Sequence, residues 1–432
     1  MLATQNAVAM RHDLMERLLD ARRRSDALLG LVRVEALYER PIPERHRIIF
    51  YLGHLEAFDW NLLYERVLGT KSFHPEFDRL FAFGIDPVSG GLPADQASDW
   101  PQLHEVRDYV AKVRATLDRS LAMDAFESGG QLFDGVPLSV LLNVAIEHRL
   151  MHVETLSYML HQLPFEQKIR HSVLPDTGNS QVLHRMVDVP AGSVVLGLSR
   201  SSKDFGWDNE FESHTVDVPA FCIDQYKVTN AQYVDFIAAG GYESRSLWSD
   251  EDWDWKTAQG ISHPVFWKRT GGQWLSRSMF DELPLPMDWP VYVSHAEAMA
   301  YTRWVGKSLP AEAEWQRAAE GAPAPTSRSI GSDLVDGNPM PVNAFPEHRS
   351  RFGVHGMFGN GWEWTSSAFM PFAGFEPFPF YRGYSADFFD GKHFVMKGGS
   401  PVTADCMLRP SFRNWFQSHY QYVYATLRCV SR

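Results

Sequence analysis

The sequence predicts two domains of different class, a four-helix bundle followed by an α+β domain. Three observations predict it. The 432 residues exceed what one ordinary core holds. Helical periodicity runs through the first 165 residues and then stops. Beyond it come short β-like runs, many turns and Trp-rich irregular segments. A hydrophobic content of 44%, with 14 Trp and 28 Phe, supplies the cores and excludes disorder as the main state.

The first helix is "RHDLMERLLDARRRSDALLGLV" (11–32), with apolar residues at helical spacing. The second, "ERHRIIFYLGHLEAFDWNLLYERVL" (44–68), follows "RPIP". Residues 68–98, rich in Gly and Pro, read as one long irregular connection, a length that points to a functional loop. The third helix (99–123) starts at an Asp N-cap and a Pro, and the fourth (137–163) at Pro and Ser. The expected division is a bundle over 1–165, a linker over 166–186 and a second domain over 187–432. In that domain "VDVPAGSVVLGL" (187–198) and "HTVDVPAFCIDQYKV" (214–228) read as strands. Only "NAQYVDFIAAGG" (230–241) and "SHAEAMAYTRWVGKS" (294–308) read as helices.

A net charge of −12 argues against sequence-independent binding to nucleic acid or to anionic lipid, which need a basic face. Cys222, Cys406 and Cys429 are sparse and show no CxxC spacing, which fits a reducing compartment and excludes a zinc–thiolate site. The N-terminus has no signal-peptide core, and no apolar run approaches ~18 residues. The expectation is a soluble, cytoplasmic protein without a membrane partner.

Within "AIEHRLMHVETLSYML" (145–160), His148 and His152 lie one turn apart on one helix face and can share a metal. Glu154 points about 200° away from His152 and is a poor third ligand. The missing ligand must come from a neighbouring helix, and His54 in "YLGHLEAFDW" (51–60) is the best candidate. Glu56 and Asp59 are expected to be solvated or to orient ligands. Spacing alone leaves a coincidental HxxxH open, because His104 and His161 also lie in this bundle. Nor does it choose among Zn, Fe and Cu.

The second domain carries "FCIDQYKVTNAQYVDF" (221–236), "SLPAEAEWQRAAEG" (308–321), "FGVHGMFGNGWEWTSS" (352–367), "KGGSPVT" (397–403) and "TLRCVSR" (426–432). Together these resemble the formylglycine-generating-enzyme (sulfatase-modifying factor) fold, a C-type-lectin-like architecture. The first domain resembles a DinB-type bundle. This domain order is similar to that of the ergothioneine-type sulfoxide synthases, non-heme iron enzymes that act with O2 on hercynine, Nα-trimethylhistidine. The resemblance implies Fe(II) held by His54, His148 and His152, which match the family's lone histidine and its HxxxHxE helix. It also implies that Asn414 and Trp415, in "RNW" (413–415), bind hercynine. An indole face suits a quaternary ammonium, which donates no hydrogen bond, through cation–π attraction of ~0.5–2 kcal/mol. Formylglycine-generating enzymes use a cysteine pair, whereas only Cys406 stands between "KGGS" and "RNW". That argues against their activity here.

The chain also departs from the family pattern. Actinobacterial ergothioneine enzymes have Asp where Phe416 stands. Phe369 and Phe372, in "AFMPFAGF" (368–375), replace tyrosines, as do Phe81 and Phe83 in "LFAFGIDPV" (80–88). Met151 replaces a Gln before the second helix histidine. A phenylalanine has no O–H and does no acid–base work. These six residues form the expected donor pocket, and no acid or base is identified. The departures resemble the selenoneine synthase branch, which couples a selenosugar to the imidazole carbon of hercynine. The alternative is a sulfoxide synthase that takes cysteine or γ-glutamylcysteine. A non-catalytic binding module or a DinB-type thiol transferase fits less well, because all three histidines occur together with Asn414 and Trp415.

Overall fold

In a computed structural model of the chain, the described residues are 2–64, 67–84, 92–122, 132–133, 135–170, 182–323 and 337–432. They divide into two compact units, Met1–His171 and Ser172–Arg432.

The first unit is helical: α1 (Leu2–Leu29), α2 (Ile48–Leu63), α3 (Pro75–Phe83), α4 (Leu103–Ala122) and α5 (Leu138–Gln162). α5 packs on α1 and α2, and α2 also packs on α3 and α4. Most residues of α2 and α5 are buried, as expected of helices apolar on most faces at the centre of a bundle. The connection expected to be irregular contains α3. Its signals are local: the His74 side chain accepts from the Phe77 N–H at 3.2 Å, Pro75 fills the first turn and Gly84 (φ 73°) ends the helix. Residues 85–91 of that connection lie outside the described residues. Residues 167–169, within the expected linker, bond to the bundle. Ile169 N–H donates to Leu31 O at 2.7 Å, and Arg33 N–H donates to Gln167 O at 3.0 Å.

The second unit is built on a four-stranded sheet in the order Asn414–Gln417, His393–Lys397, Trp362–Ala368, Ala425–Thr426. The first three strands are antiparallel, and the last pairs in parallel with Trp362–Ala368. A three-stranded sheet joins Met186–Val189, Phe221–Asp224 and Val430–Ser431, and a meander runs through Trp267–Thr270, Gln273–Arg277 and Glu282–Pro284. Two helices stand where the periodicity predicts them, α6 (Asn230–Ala238) and α8 (His295–Trp304). Capping boxes start both, Thr229 with Gln232 and Ser294 with Glu297. Two further helices escape the periodicity: α7 (Asp250–Ala258), whose DEDWDWKTA carries too few apolar residues to mark a face, and α9 (Glu312–Ala318), which is only seven residues long.

The "WEW" and "LRC" segments meet in the core. Glu363 accepts from Arg428 Nη2 and Nε at 3.0 Å each and from Lys227 Nζ at 2.6 Å, with all three residues buried. Burial alone would raise the Glu363 pKa, but Arg428 and Lys227 hold it at about 2. These motif residues therefore build the fold. Cys429 is buried in the same core, and burial pushes its thiol well up. No helix among the described residues is long and apolar enough to cross a membrane.

Candidate metal centre

α2 and α5 bring His54, His148 and His152 together, with one ligand atom from each within 4.8 Å of the others. No other group of three or more His, Cys, Asp or Glu among the described residues meets this geometry. Each imidazole is held by a neighbour. His54 stacks on Phe50 (4.7 Å, 23°), His148 on Phe58 (3.4 Å, 11°), and Tyr51 lies 5.6 Å from His152. Phe50, His54 and Phe58 follow one another at four-residue spacing along one face of α2.

His54 Nδ1 lies 2.6 Å from the Phe81 carbonyl oxygen, which can only accept. The N–H is therefore on Nδ1, and Nε2 carries the lone pair. That Nε2 is 3.1 Å from His152 Nε2, a gap that a shared proton or a cation between the rings satisfies. Two nitrogen ligands at bonds of about 2.0–2.1 Å from one ion are about this far apart. Burial lowers the pKa of His54 to about 4, with Arg149 adding to the effect. Burial and the neighbouring imidazoles push His148 and His152 well down. Three neutral imidazoles, one oriented by a backbone carbonyl, fit a divalent transition metal.

Behind the histidines lies a charge cluster. Arg149, fully buried and next to His148, donates from Nη2 to Leu55 O (2.8 Å) and Asp59 Oδ2 (2.7 Å), and its Nη1 is 2.9 Å from Glu56 Oε1. Arg114 donates to Glu56 from the other side at 2.8 Å. Burial would raise the Glu56 carboxyl, but Arg149, Arg114 and Arg22 hold it down at about 2. For Asp59 burial prevails and the shift is upward. Neither acid is solvated. The guanidinium pairs with one oxygen of each acid and ties the residue after His148 to the residue after His54. An arginine inside an apolar helix was the sequence signal for this tie.

Of the six expected donor residues, Phe81, Phe83 and Met151 lie in the first unit and Phe369, Phe372 and Phe416 in the second. Phe81 is fully buried under Gly53, and its contribution to the centre is its carbonyl, which no side-chain pattern reveals. Phe83, on the same helix, is 77% exposed. Met151 precedes His152 on α5 and is half-buried. In the second unit, Phe369 is buried and stacks on Trp415 at 4.2 Å and 6°. Arg413, paired with Glu312 at 2.8 and 3.0 Å, lies over Phe372 (4.1 Å) and Phe369 (5.0 Å). Tyr384 meets Trp415 edge-on at 5.4 Å, and Phe388 lies at 5.7 Å. Sequence reasoning did not single out these last two rings. Asn414, Trp415 and Phe416 share one strand, so Trp415 faces opposite to the other two. Phe416 stacks on Tyr420 at 4.8 Å.

Comparisons with known proteins match both units. The model of the sulfatase-modifying factor enzyme 1-like domain matches residues 172–432, more than half of the chain, and that of the DinB superfamily matches residues 17–156. A hercynine oxygenase of Mycolicibacterium thermoresistibile is 31% identical, over 98% of this chain and 95% of its own length. A hercynine oxygenase of Mycolicibacterium smegmatis is 34% identical, over 79% of this chain and 80% of its own. Ergothioneine biosynthesis protein 1 of Neurospora crassa is 28% identical over 92% of this chain, which spans 55% of that longer protein.

Proposed function

Because the chain belongs to the ergothioneine-type sulfoxide synthase family, a DinB bundle followed by a sulfatase-modifying-factor domain, we propose that it couples a selenosugar to the imidazole carbon of hercynine in an Fe(II)- and O2-dependent reaction. The observation that carries the metal part is the cluster of three neutral imidazoles within 4.8 Å, two of them buried and His152 half-buried. His54, His148 and His152 would hold the iron, which supplies O2 activation and a meeting point for a soft donor atom and an imidazole. The Phe81 carbonyl holds the His54 proton on Nδ1 and so keeps Nε2 free for the metal. Phe50 and Phe58 fix the rings and keep water from their faces.

Trp415 would receive the trimethylammonium group, with Phe369 stacked behind it and Tyr384 edge-on. Phe416, where an acid would meet an amino-acid ammonium, offers a ring against Tyr420 instead. An amino-acid donor thereby lacks a charge partner worth ~1 kcal/mol or more when partly buried, whereas a neutral sugar loses nothing. The test is anaerobic Fe(II) loading, then hercynine and O2 with a 1-seleno-sugar, a 1-thio-sugar, cysteine or γ-glutamylcysteine in turn. Products are read by mass spectrometry and kcat/KM is compared. The seleno-sugar is expected to lead. A tenfold preference for cysteine or γ-glutamylcysteine would return the chain to the thiol-using branch.

A further inference from the structure

The second unit contains a cleft of about 320 Å³ whose lining includes none of the rings around Trp415. It opens where the strand Asn414–Gln417 ends, and Gln417, Ser418 and His419 line it. Phe394, the register partner of Phe416, lines it too, and His295 stacks on Phe394 at 3.8 Å and 15°. The cleft thus begins beside the Phe416 face of the strand.

Its floor is a chain of buried and half-buried polar groups. Asp252 Oδ1 lies 2.8 Å from His419 Nε2 and accepts from Ser418 Oγ at 3.5 Å, and Ser249 Oγ donates to Oδ2 at 2.6 Å. Ser418 Oγ is in turn 3.3 Å from His295 Nδ1. Asp252 and His295 are 9% and 4% exposed, and His419 is fixed by parallel stacking on Trp255 at 4.5 Å. Two cations, Arg303 and Lys392, reach the cleft together with two acids, Glu251 and Asp252. Those formal charges cancel, so the lining favours neither an anion nor a cation. It presents a fixed acceptor, fixed donors, a hydroxyl and imidazoles that do either, beside the apolar surface of Phe394. A sugar matches this mixture, because each hydroxyl both donates and accepts and the ring has a C–H face. The volume lies at the small end of the ~300–1,000 Å³ range of ligand pockets, which suits one ring and not an oligosaccharide.

We infer that the cleft lined by Asp252, His295, Phe394, Ser418 and His419 is a binding site for a neutral monosaccharide, and that it takes the sugar of the donor. The second half of this statement rests on the donor reading above, and the first does not. Isothermal titration of the full-length chain with 1-thio-β-D-glucose, and separately with hercynine, tests both. Asp252→Asn and Ser418→Ala are expected to weaken thio-glucose at least tenfold and to leave hercynine within twofold. Arg303→Ala at the exposed rim is expected to weaken thio-glucose about threefold with no effect on folding, which keeps the test open if a floor variant unfolds. Thio-glucose affinity unchanged in all three variants would overturn the site while sparing the donor reading. Competitive displacement by cysteine would overturn the neutral-ligand assignment. If the parent chain bound no thio-glucose while turning over cysteine, both the site and the donor reading would fall.

Discussion

Replacing Gly53 with alanine tests how the metal centre is held. Gly53 precedes His54 on α2, and a Cβ there would lie 2.4, 2.5 and 2.6 Å from Phe81 Cδ1, Cε1 and Cγ. Ordinary carbon contacts are about 3.5–4.0 Å, so the Phe81 ring must retreat by about 1 Å. It has no room to do so, because it is fully buried, with Phe77 at 5.4 Å and Tyr109 at 5.9 Å. Overpacking of this kind costs about 1–3 kcal/mol, while alanine in mid-helix returns roughly 1, leaving a net loss of about 0–2. The larger effect falls on the metal. A shift of α3 stretches the 2.6 Å bond from His54 Nδ1 to the Phe81 carbonyl, and loss of such a supporting partner typically costs 10–100-fold in metal affinity. The assay is anaerobic titration with Co(II) or Fe(II), alongside urea unfolding. Gly53→Ala is expected to bind at least tenfold more weakly, and Gly53→Ala/Phe81→Leu, which restores the space, is expected to recover most of the loss. Wild-type affinity in the single variant would show that the carbonyl does not orient His54.

Other outcomes follow from the same geometry. His54→Ala should abolish iron binding, as metal analysis of the purified protein will show, and stoichiometric iron would remove His54 from the ligand set. Arg149→Met should destabilise the chain by about 3–5 kcal/mol in urea unfolding, because it leaves Asp59 buried without its cation and leaves Glu56 with only Arg114 and Arg22. Adding Glu56→Gln and Asp59→Asn should recover most of the loss. Trp415→Ala should weaken hercynine by ~0.5–2 kcal/mol without changing iron content, and unchanged hercynine affinity would make Trp415 a packing residue. Burial lowers the pKa of His295 to about 4. Between that value and the ~6.5 of an unfolded histidine, the unfolded chain binds the extra proton. Stability from this group is therefore whole above about pH 6.5 and falls by ~2 kcal/mol on going to pH 5. His295→Gln should flatten that part of the profile, and an unchanged slope would refute the assignment.

What the sequence determined by itself is what periodicity and fixed spacing encode. The long helices of the bundle, α6 and α8 with their caps, and the common face of His148 and His152 all follow from 3.6 residues per turn. The family-specific motifs determined the class of the second unit, and His54, the candidate third ligand, stands beside His148 and His152 in the structure. Shorter or non-local features needed the tertiary structure. α3 is one helix of nine residues inside a Gly- and Pro-rich stretch, where hydrophobic period is too brief to read. The carbonyl that orients His54 belongs to Phe81, 27 residues away, and a backbone group leaves no trace in residue identity. Glu56 and Asp59 look like surface acids until α5 brings Arg149 against them, 93 and 90 residues distant, and burial reverses their expected solvation. The cleft around Asp252, His295 and His419 joins three segments spread over 168 residues, and only the contacts of α7 and α8 residues with Phe394, Ser418 and His419 put their polar groups in one place.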